Sequence, residues 1–259
     1  MHPTSSAPVL RLLRRTAQVA AAALFVGAIS GAVAQAQTAD GSPPPAGKAG
    51  APKAGAEALP KPLPAAKTAE VLAKVQAFYD NTTSFVSTFT QQYRIKAHSK
   101  TKTSSGTVIF SKPGKMDWAY TDPKDNRVVS DGVTIKVYEA ANKQMFEQPM
   151  GKSQYPAVLS FLTGEGKLSD TFTFELYAGE EANFPGGYVL SGTPKTETPA
   201  YSRVLFYVDT ASSQVRRVLI IDGQGNRNRF DFDTPKVNVP VDASHFRFAP
   251  PPGTTVVRP

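Results

Sequence analysis

The sequence predicts a mostly β fold with some α-helix, built as a strongly curved antiparallel sheet or open barrel with helices over one end. Three observations lead to this prediction. After residue 84, apolar and polar residues alternate with a period of two through most of the chain. Turn-rich segments separate these runs, as they do in antiparallel sheets. Helical spacing is found in two segments, one before the first strand and one in the middle of the chain.

The first 36 residues are predicted to be a secretory signal peptide. A basic stretch at 11–15 precedes an apolar segment at 19–34, and small-residue cleavage sites lie at 32–34 and 34–36. An uncleaved membrane anchor is the alternative, but the apolar run is short and rich in Ala and Gly. The chain has no cysteine, so neither disulfides nor lipidation of a mature N-terminus is possible. We therefore expect an exported, periplasmic protein.

Residues 37–66 are predicted to be a disordered tether, because they are mostly Pro, Ala, Gly and Lys and have little to bury. The folded part is then a single domain over 67–259. The formal net charge is +8, and three of the positive charges leave with the signal peptide. The remaining mild positive charge favours anionic lipid surfaces or acidic partners. Nucleic acid is not expected as a partner, since the chain is exported and its basic residues are scattered.

The domain is predicted to open with a helix over 68–82 that has Thr68 as its N-cap. Its apolar positions share one face: Val71, Leu72, Val75 and Phe78. The period then changes to two over 84–96. There the odd positions are largely aromatic and the even positions largely polar, which predicts a long, half-buried antiparallel strand.

Further strands are predicted on both sides of a central helix at 155–164. Before the helix they cover 106–110, 116–120, 126–130, 134–139 and 144–148. After it they cover 187–192, 202–209, 215–222 and 228–233. Asp131-Gly132 is a two-residue hairpin signal between two of them.

Aromatic residues are the most informative part of the composition. Fifteen Phe, nine Tyr and one Trp fall repeatedly on one face of consecutive strands. A filled barrel core explains this pattern, and so does a cavity that holds an apolar ligand. The sequence pattern leaves both interpretations open.

The sequence gives no support for catalysis. His98 and His245 are far apart and have no neighbouring ligand cluster, so neither a metal site nor a cofactor is expected. No G-x-S-x-G motif is present. Asp117, Asp231 and Asp233 occupy solvent-facing positions of the alternation, and Asp222 is expected to cap a hairpin rather than to bind calcium. We predict that the protein is not an enzyme.

Six segments in register resemble the outer-membrane lipoprotein carrier proteins of Gram-negative bacteria, the LolA family. They are F-x-x-x-F-x-Q at 85–91, FSKPGKMDWAY at 110–120, VVSDGVTIKVY at 128–138, P-x-x-L-S-F-L at 156–162, DGQGNRNRFDF at 222–232 and F-x-F-x-P-P-x-G-x-x-V at 246–256. The resemblance spans about residues 70–257, nearly the whole predicted fold. No single motif is specific, and the weight lies in their order and spacing.

The resemblance implies an unclosed antiparallel β-barrel with a helical lid over a hydrophobic cavity. Such a carrier accepts acylated lipoproteins from an inner-membrane lipoprotein-releasing ABC transporter and delivers them to an outer-membrane acceptor. It implies a monomer without a cofactor. The acyl contacts that we expect are Phe85, Phe89, Tyr93, Phe110, Trp118 and Phe146, beneath the lid residues Val158, Leu159, Phe161 and Leu162. Each of these side chains has ordinary core packing as its alternative role.

The resemblance also gives Lys112 a role. The family has a basic residue, usually arginine, immediately before the Pro of this motif, and its hydrogen bonds to the lid hold the empty carrier closed. Lysine cannot reproduce the planar, multi-donor contact of arginine, so a weaker or differently built latch is expected. A solvent-exposed turn lysine is the alternative.

Three other functions stay open. The fold suits a carrier of another amphiphile such as a glycolipid. It also suits a regulatory module that senses mislocalised lipoproteins, as related folds do in anti-sigma regulators. A periplasmic hydrolase is the fourth possibility, although no arrangement of nucleophile and base supports it.

Overall fold

A computed structural model describes residues 60–97, 100–152 and 166–258. The predicted signal peptide, the tether before residue 60, His98 and the four predicted lid residues lie outside these ranges. The described residues form a single curved, unclosed sheet of twelve strands with helices packed on it. This is the fold class that the sequence predicts.

The elements run in the following order along the chain. Helix α1 covers Ala65–Asp80 and helix α2 covers Leu168–Thr171. The strands before α2 are β1 Ser84–Ile95, β2 Lys100–Ser111, β3 Lys115–Asp122, β4 Arg127–Asp131, β5 Thr134–Glu139 and β6 Gln144–Pro149. The strands after it are β7 Phe172–Ala178, β8 Gly187–Pro194, β9 Arg203–Asp209, β10 Val215–Ile221, β11 Arg227–Val237 and β12 Thr255–Val257.

The strand order is β12-β6-β5-β4-β3-β2-β1-β11-β10-β9-β8-β7, so β1 and β11 join two meanders. Every neighbouring pair is antiparallel except β12 and β6, which are parallel. The long β1 pairs over its full length with β2 and over most of its length with β11. These three strands form the centre of the sheet, and they carry the buried rings of Phe85, Phe89, Phe110, Phe230 and Phe232.

Three details of the fold differ from the prediction. Helix α1 begins at Ala65 with Pro64 at its N-cap, and the hydroxyl of Thr68 contacts the carbonyl of Pro64 at 3.4 Å instead of capping. A Thr side chain inside a helix often turns back to the preceding turn in this way. Strands β7 and β12 were not predicted. The alternation of Thr and Phe at the start of β7 is the signal that would have found it.

The C-terminal segment, which contains a short helix over Ala243–Phe246, packs on the outer face of β3 and β4. There the structure contradicts the prediction made for Asp117. Asp117 follows the predicted parity, but it is buried, with 2% of its surface exposed. Arg127 donates two hydrogen bonds to its carboxylate, each 2.8 Å long, and Nδ1 of His245 lies 3.2 Å from it. The prediction of a solvent-facing Asp117 was therefore wrong, because a segment more than a hundred residues away folds over it.

Asp231 is also partly covered, because Arg217 and Arg229 both pair with its carboxylate. Asp233 is exposed, as predicted. Within the ranges that the structure describes, no helix has the length and apolar content needed to cross a membrane.

Candidate functional site

The concave face of the sheet carries a continuous group of packed aromatic rings, which we call the aromatic cluster. It contains Phe85 and Phe89 of β1, Phe110 of β2, Trp118 of β3, and Phe230 and Phe232 of β11, each with at most 2% of its surface exposed. Strand alternation explains the arrangement, since these residues occupy the inward positions of four neighbouring strands. Four of the six predicted acyl contacts are thus brought together.

The rings of the aromatic cluster meet mostly edge to face. Trp118 lies 4.8 Å from Phe89 and 5.3 Å from Phe230, measured between ring centroids. Phe85 lies 5.5 Å from Phe232. These spacings are typical of favourable aromatic pairs. The interior at this position is filled by protein side chains.

Glycine makes room for the cluster. Gly106 of β2 stands opposite Phe89 in the strand pairing, and a Cβ at this position would lie 2.2 Å from the carbonyl oxygen of Ala119. Any larger residue would force β2 and β3 apart. The ring of Phe89 lies 5.2 Å from that of Tyr120. The glycine therefore allows β2 and β3 to approach closely beside the ring of Phe89.

Phe230 and Phe232 were not among the predicted site residues. Their segment was recognised as a strand and as one of the six family-like motifs, so the sequence contained the signal. What it did not show is that β11 pairs with β1, which places Phe232 directly opposite Phe89. Only that pairing makes them part of the same cluster.

Tyr93 and Phe146 lie at the margins of the interior. Tyr93 is half-buried near the far end of β1, opposite Lys102 and Asn228, and burial raises the pKa of its hydroxyl. Phe146 of β6 is partly buried and packs against the hydrophobic core opposite Val137. Neither ring joins the aromatic cluster described above.

Polar side chains replace the rings towards the far end of β1. Gln91 donates to Asn228 at 2.9 Å and accepts from the hydroxyl of Tyr120 at 3.0 Å, and all three residues are buried. Burial raises the pKa of Tyr120 well above its ordinary value. Buried polar groups are stable only when they are hydrogen-bonded. The interior is thus aromatic in its centre and polar beyond it.

Helix α1 packs on the concave face through one side. Val71, Val75 and Tyr79 are buried, while Leu72 and Phe78 pack against the core less completely. This largely confirms the face predicted from the helical spacing. The hydroxyl of Tyr79 accepts a hydrogen bond from the backbone N–H of Val215 at 3.0 Å, and burial strongly raises the pKa of that hydroxyl. The helix is therefore attached to the sheet by apolar contacts and a few polar ones.

Lys112 provides another polar attachment of α1. Its Nζ donates hydrogen bonds to the backbone carbonyls of Tyr79 and Asp80 at the end of the helix, the second at 3.4 Å. The last turn of α1 contains no basic residue of its own. A cation at this position interacts favourably with the helix dipole and with carbonyls that have no partner inside the helix. Burial lowers the pKa of Lys112, and the nearby Asp80 carboxylate opposes this shift.

The predicted lid residues lie outside the described residues: Val158, Leu159, Phe161 and Leu162. The side chain of Lys112 is half-buried and hydrogen-bonded to α1, so the alternative of a turn lysine surrounded by solvent does not describe it.

Among described residues, no group of three or more His, Cys, Asp or Glu side chains is placed to bind a metal. Asp222 caps its hairpin, accepting from the N–H groups of Gln224 and Asn226 at 2.9 Å each.

A family profile described as outer membrane lipoprotein carrier protein LolA matches residues 80–249. The chain is 26% identical over 183 residues to the outer-membrane lipoprotein carrier protein of Methylococcus capsulatus, covering 71% of this chain and 85% of the relative. It is 27% identical over 195 residues to the protein of the same name from Dechloromonas aromatica, covering 75% of this chain and 91% of the relative.

Solved structures with a similar course of the chain include a LolA superfamily protein from Nitrosomonas europaea. It has a TM-score of 0.41 and 12% identity, over 70% of this chain and 97% of that one. An uncharacterized conserved protein from Thermus thermophilus has a TM-score of 0.47 and 15% identity, over 74% of this chain and 99% of that one.

Proposed function

The chain belongs to the outer membrane lipoprotein carrier protein LolA family, and from this premise we propose that it carries lipoproteins by holding their acyl chains. Carriers of this family are periplasmic and are not enzymes. One structural observation bears most of the proposal. A buried aromatic cluster lies on the concave face of an unclosed sheet, and the same face is covered by a helix.

A carrier must release its cargo, and the filled interior provides a reason why it can. Each buried methylene contributes about 0.8 kcal/mol, so transferring one sixteen-carbon chain from water into a preformed cavity would contribute about 12 kcal/mol. Release from such a cavity would be very slow. When protein side chains fill the same space, the apolar surface of the interior is already buried in the carrier without cargo. Binding an acyl chain then adds less stabilisation, because the chain must displace those side chains. The closed, filled state then competes with binding.

The aromatic cluster is suited to this competition. Its edge-to-face contacts are individually weak and adjustable, so the rings can repack around an acyl chain. We assign the direct acyl contacts to Phe85, Phe89, Phe110 and Trp118, together with Phe230 and Phe232. Tyr93 and Phe146, at the margins, contact cargo only when it extends beyond the cluster. The predicted lid residues Val158, Leu159, Phe161 and Leu162 move aside as the chains enter.

Lys112 is the proposed latch. Its bonds to the carbonyls of Tyr79 and Asp80 hold the end of α1 against the start of the sheet. In this assignment, the latch acts on α1 as well as on the predicted lid. Breaking it raises the energy of the closed state relative to the loaded one. Loss of the latch therefore favours retention of cargo.

The wider pathway follows from the same proposal. The cargo is an acylated lipoprotein, supplied by an inner-membrane lipoprotein-releasing ABC transporter and delivered to an outer-membrane acceptor. The carrier acts as a periplasmic monomer after removal of the signal peptide, residues 1–36. The tether that we propose ends before Leu63, because Leu63 packs against the core and α1 begins at Ala65, so the predicted end at residue 66 was too late. We assign no specific partner to this tether.

The first experiment is native mass spectrometry of the protein, purified without detergent from the periplasm of a bacterium that contains lipoproteins. We expect complexes whose added mass corresponds to an acylated lipoprotein. In Lys112→Leu the occupied fraction should rise, because the closed state is weakened. Lys112→Arg is the matched control, since it keeps the charge and the donors, and its occupancy should stay near that of the unmodified protein.

Two outcomes would contradict the proposal. A bound glycolipid or free lipid in place of a lipoprotein would identify a carrier of another amphiphile. A protein without any ligand that also fails to release lipoproteins from spheroplasts would exclude the carrier role. Equal occupancy in Lys112→Leu and Lys112→Arg would reject the latch and leave the cargo assignment standing.

A further inference from the structure

Gln91 is the last residue of the first family-like motif, F-x-x-x-F-x-Q, and the carrier proposal gives it no role. It follows Phe89 at the next inward position of β1, and only 5% of its surface is exposed. A glutamine thus stands at the end of the row of phenylalanine rings on the concave face. A buried amide is stable only when polar partners are beside it.

The two strands beside β1 change from apolar to polar at the same level. On β11 the inward residue next to Phe230 is Asn228, and both it and Gln91 are buried. On β2 the inward residue next to Gly106 is Ser104, which pairs with Gln91 and is also buried. Residues that pair across two strands lie on the same face of a sheet. Three neighbouring strands therefore place polar side chains together beyond the aromatic cluster.

Tyr120 of β3 joins these polar side chains to the aromatic cluster. Its ring packs edge to face against Phe89, with the centroids 5.2 Å apart. Its hydroxyl donates to Oε1 of Gln91 at 3.0 Å, and Nε2 of Gln91 donates to Oδ1 of Asn228 at 2.9 Å. We call Gln91, Ser104, Tyr120 and Asn228 the polar layer. It contains a hydrogen-bonded network that borders the aromatic cluster directly.

The polar layer limits how far an acyl chain can extend along the concave face. A chain that repacks the aromatic cluster moves rings aside, and no hydrogen bond has to break. A chain that crosses the polar layer must separate buried donors from their acceptors. The penalty for one such group equals the gain from burying about one to four methylene groups. Further methylene groups therefore add little to binding once the chain reaches this layer.

The length of β1 gives the chain length at which this limit is reached. Phe85 lies at the end of β1 near Lys112, and from there to Gln91 the strand advances about 20 Å. An extended saturated chain of about sixteen carbons has this length. We propose that the polar layer sets the length of the acyl chains that the protein holds, with a limit near this value. The inference rests on the proposed carrier function and names the residues that select its cargo.

The test measures binding of synthetic peptides that carry one saturated acyl chain of about 12 to 20 carbons. Trp118, the one tryptophan of the chain, lies in the aromatic cluster, so its emission reports binding. For the unmodified protein, binding should strengthen by up to about fourfold per methylene and level off near about sixteen carbons.

The main variant is Gln91→Met/Tyr120→Phe/Asn228→Leu, which replaces the bonded partners together by apolar side chains of similar shape. Such a joint replacement leaves none of these hydrogen-bonding groups without its partner. Binding should continue to strengthen beyond the limit, so the ratio of the affinities for about 20 and about 16 carbons should rise at least about tenfold. Self-association of the free peptides is the same for every protein and does not affect this comparison.

Two further variants make the result decisive. Tyr120→Phe removes one hydroxyl and should raise the same ratio by about threefold, and it decides the question if the triple variant does not fold. Gln92→Met is the matched control, because it makes the same kind of change on the opposite face of β1. Its length profile should equal that of the unmodified protein. Circular dichroism shows whether each variant is folded.

The outcomes separate this inference from the carrier proposal. An unchanged affinity ratio in the folded variants of the polar layer, with binding at every chain length, would overturn the role of the layer and leave the carrier function standing. An equal rise of the ratio in Gln92→Met would also overturn it, since the effect would not be specific to the concave face. Absence of binding at every length in the unmodified protein would contradict the carrier proposal, and the role of the polar layer with it.

Discussion

The two faces of β3 are buried by different kinds of contact. On the concave face, Trp118 is packed edge to face against the rings of Phe89 and Phe230. On the outer face, Asp117 is buried by the C-terminal segment and held by two hydrogen bonds from Arg127. Adjacent residues of one strand thus face an aromatic core on one side and a hydrogen-bonded ion pair on the other.

The difference shows which face of the sheet can change shape. Ring contacts lose little when the rings shift together, whereas a buried ion pair loses most of its stabilisation when its geometry is disturbed. Lys136 adds to the fixed side by donating to the carbonyl of Phe248 at 2.9 Å, and β12 closes the segment onto β6. We infer that the outer face is a rigid support and that cargo is admitted by rearrangement on the concave face.

Removing the central ring should have the largest effect. Trp118→Ala leaves a large cavity and should lower the free energy of unfolding by about 3–5 kcal/mol. Urea denaturation followed by circular dichroism measures the change. Trp118→Phe keeps most of the ring contacts and should lose much less. A loss below about 1 kcal/mol in the alanine variant would show that the cluster is not tightly packed.

Breaking the outer ion pair should have the next largest effect. Asp117→Ala leaves the partly buried guanidinium of Arg127 without its carboxylate and should cost about 3 kcal/mol of stability. Asp233→Ala, at an exposed position of β11, is the control and should change stability by less than about 0.5 kcal/mol. Thermal denaturation compares them. If Asp117→Ala changed acyl binding more than stability, the outer face would not be a passive support.

The latch should contribute less to stability than either of these groups. Lys112→Leu removes the hydrogen bonds to the end of α1 and should cost about 1 kcal/mol. Hydrogen exchange of the α1 amides should speed up, while exchange in β3 and β4 stays unchanged. Equal acceleration in the helix and in these strands would mean that Lys112 stabilises the whole fold and not α1 alone.

The pH dependence of the concave face should appear only in alkali. Burial raises the pKa values of Tyr79 and Tyr120 in the folded state. Below about pH 10, the usual pKa of tyrosine, both phenols are neutral in both states and their contribution is fully present. Above it the unfolded chain loses these protons and the folded chain does not, so stability falls as pH rises.

An alkaline titration followed by the absorbance of ionised tyrosine measures this effect. We expect two of the nine tyrosines to ionise only as the protein unfolds. In Tyr120→Phe one tyrosine should remain in this class. Ionisation of all the tyrosines near pH 10 in the folded protein would show that the concave face is open to water.

Strand alternation allowed much of the site to be predicted. The inward parity of Phe85, Phe89, Phe110 and Trp118 follows from a period of two, and the structure buries all four. Tyr93 has the same parity but lies near the end of its strand, where burial fades. Parity assigns a face, and the position along the sheet decides how deeply that face is covered.

Lys112 shows what a local pattern leaves undetermined. Strand alternation gives it the same face as Val108 and Phe110, but its contacts with the end of α1 join residues 32 and 33 positions apart in the chain. Nothing in the turn sequence specifies which carbonyls will be near. The parallel pairing of β12 with β6 is similar, because three residues carry too little pattern to predict a strand or its neighbour.

The sequence by itself determined the fold class, the concave face of the central strands and the family, because period-two alternation and ordered motifs are properties of the linear chain. The tertiary structure decided that β11 completes the aromatic cluster, that Asp117 is buried and that Lys112 holds α1. Each of these depends on residues distant in sequence, and burial and hydrogen bonding depend on which surfaces meet when the chain folds.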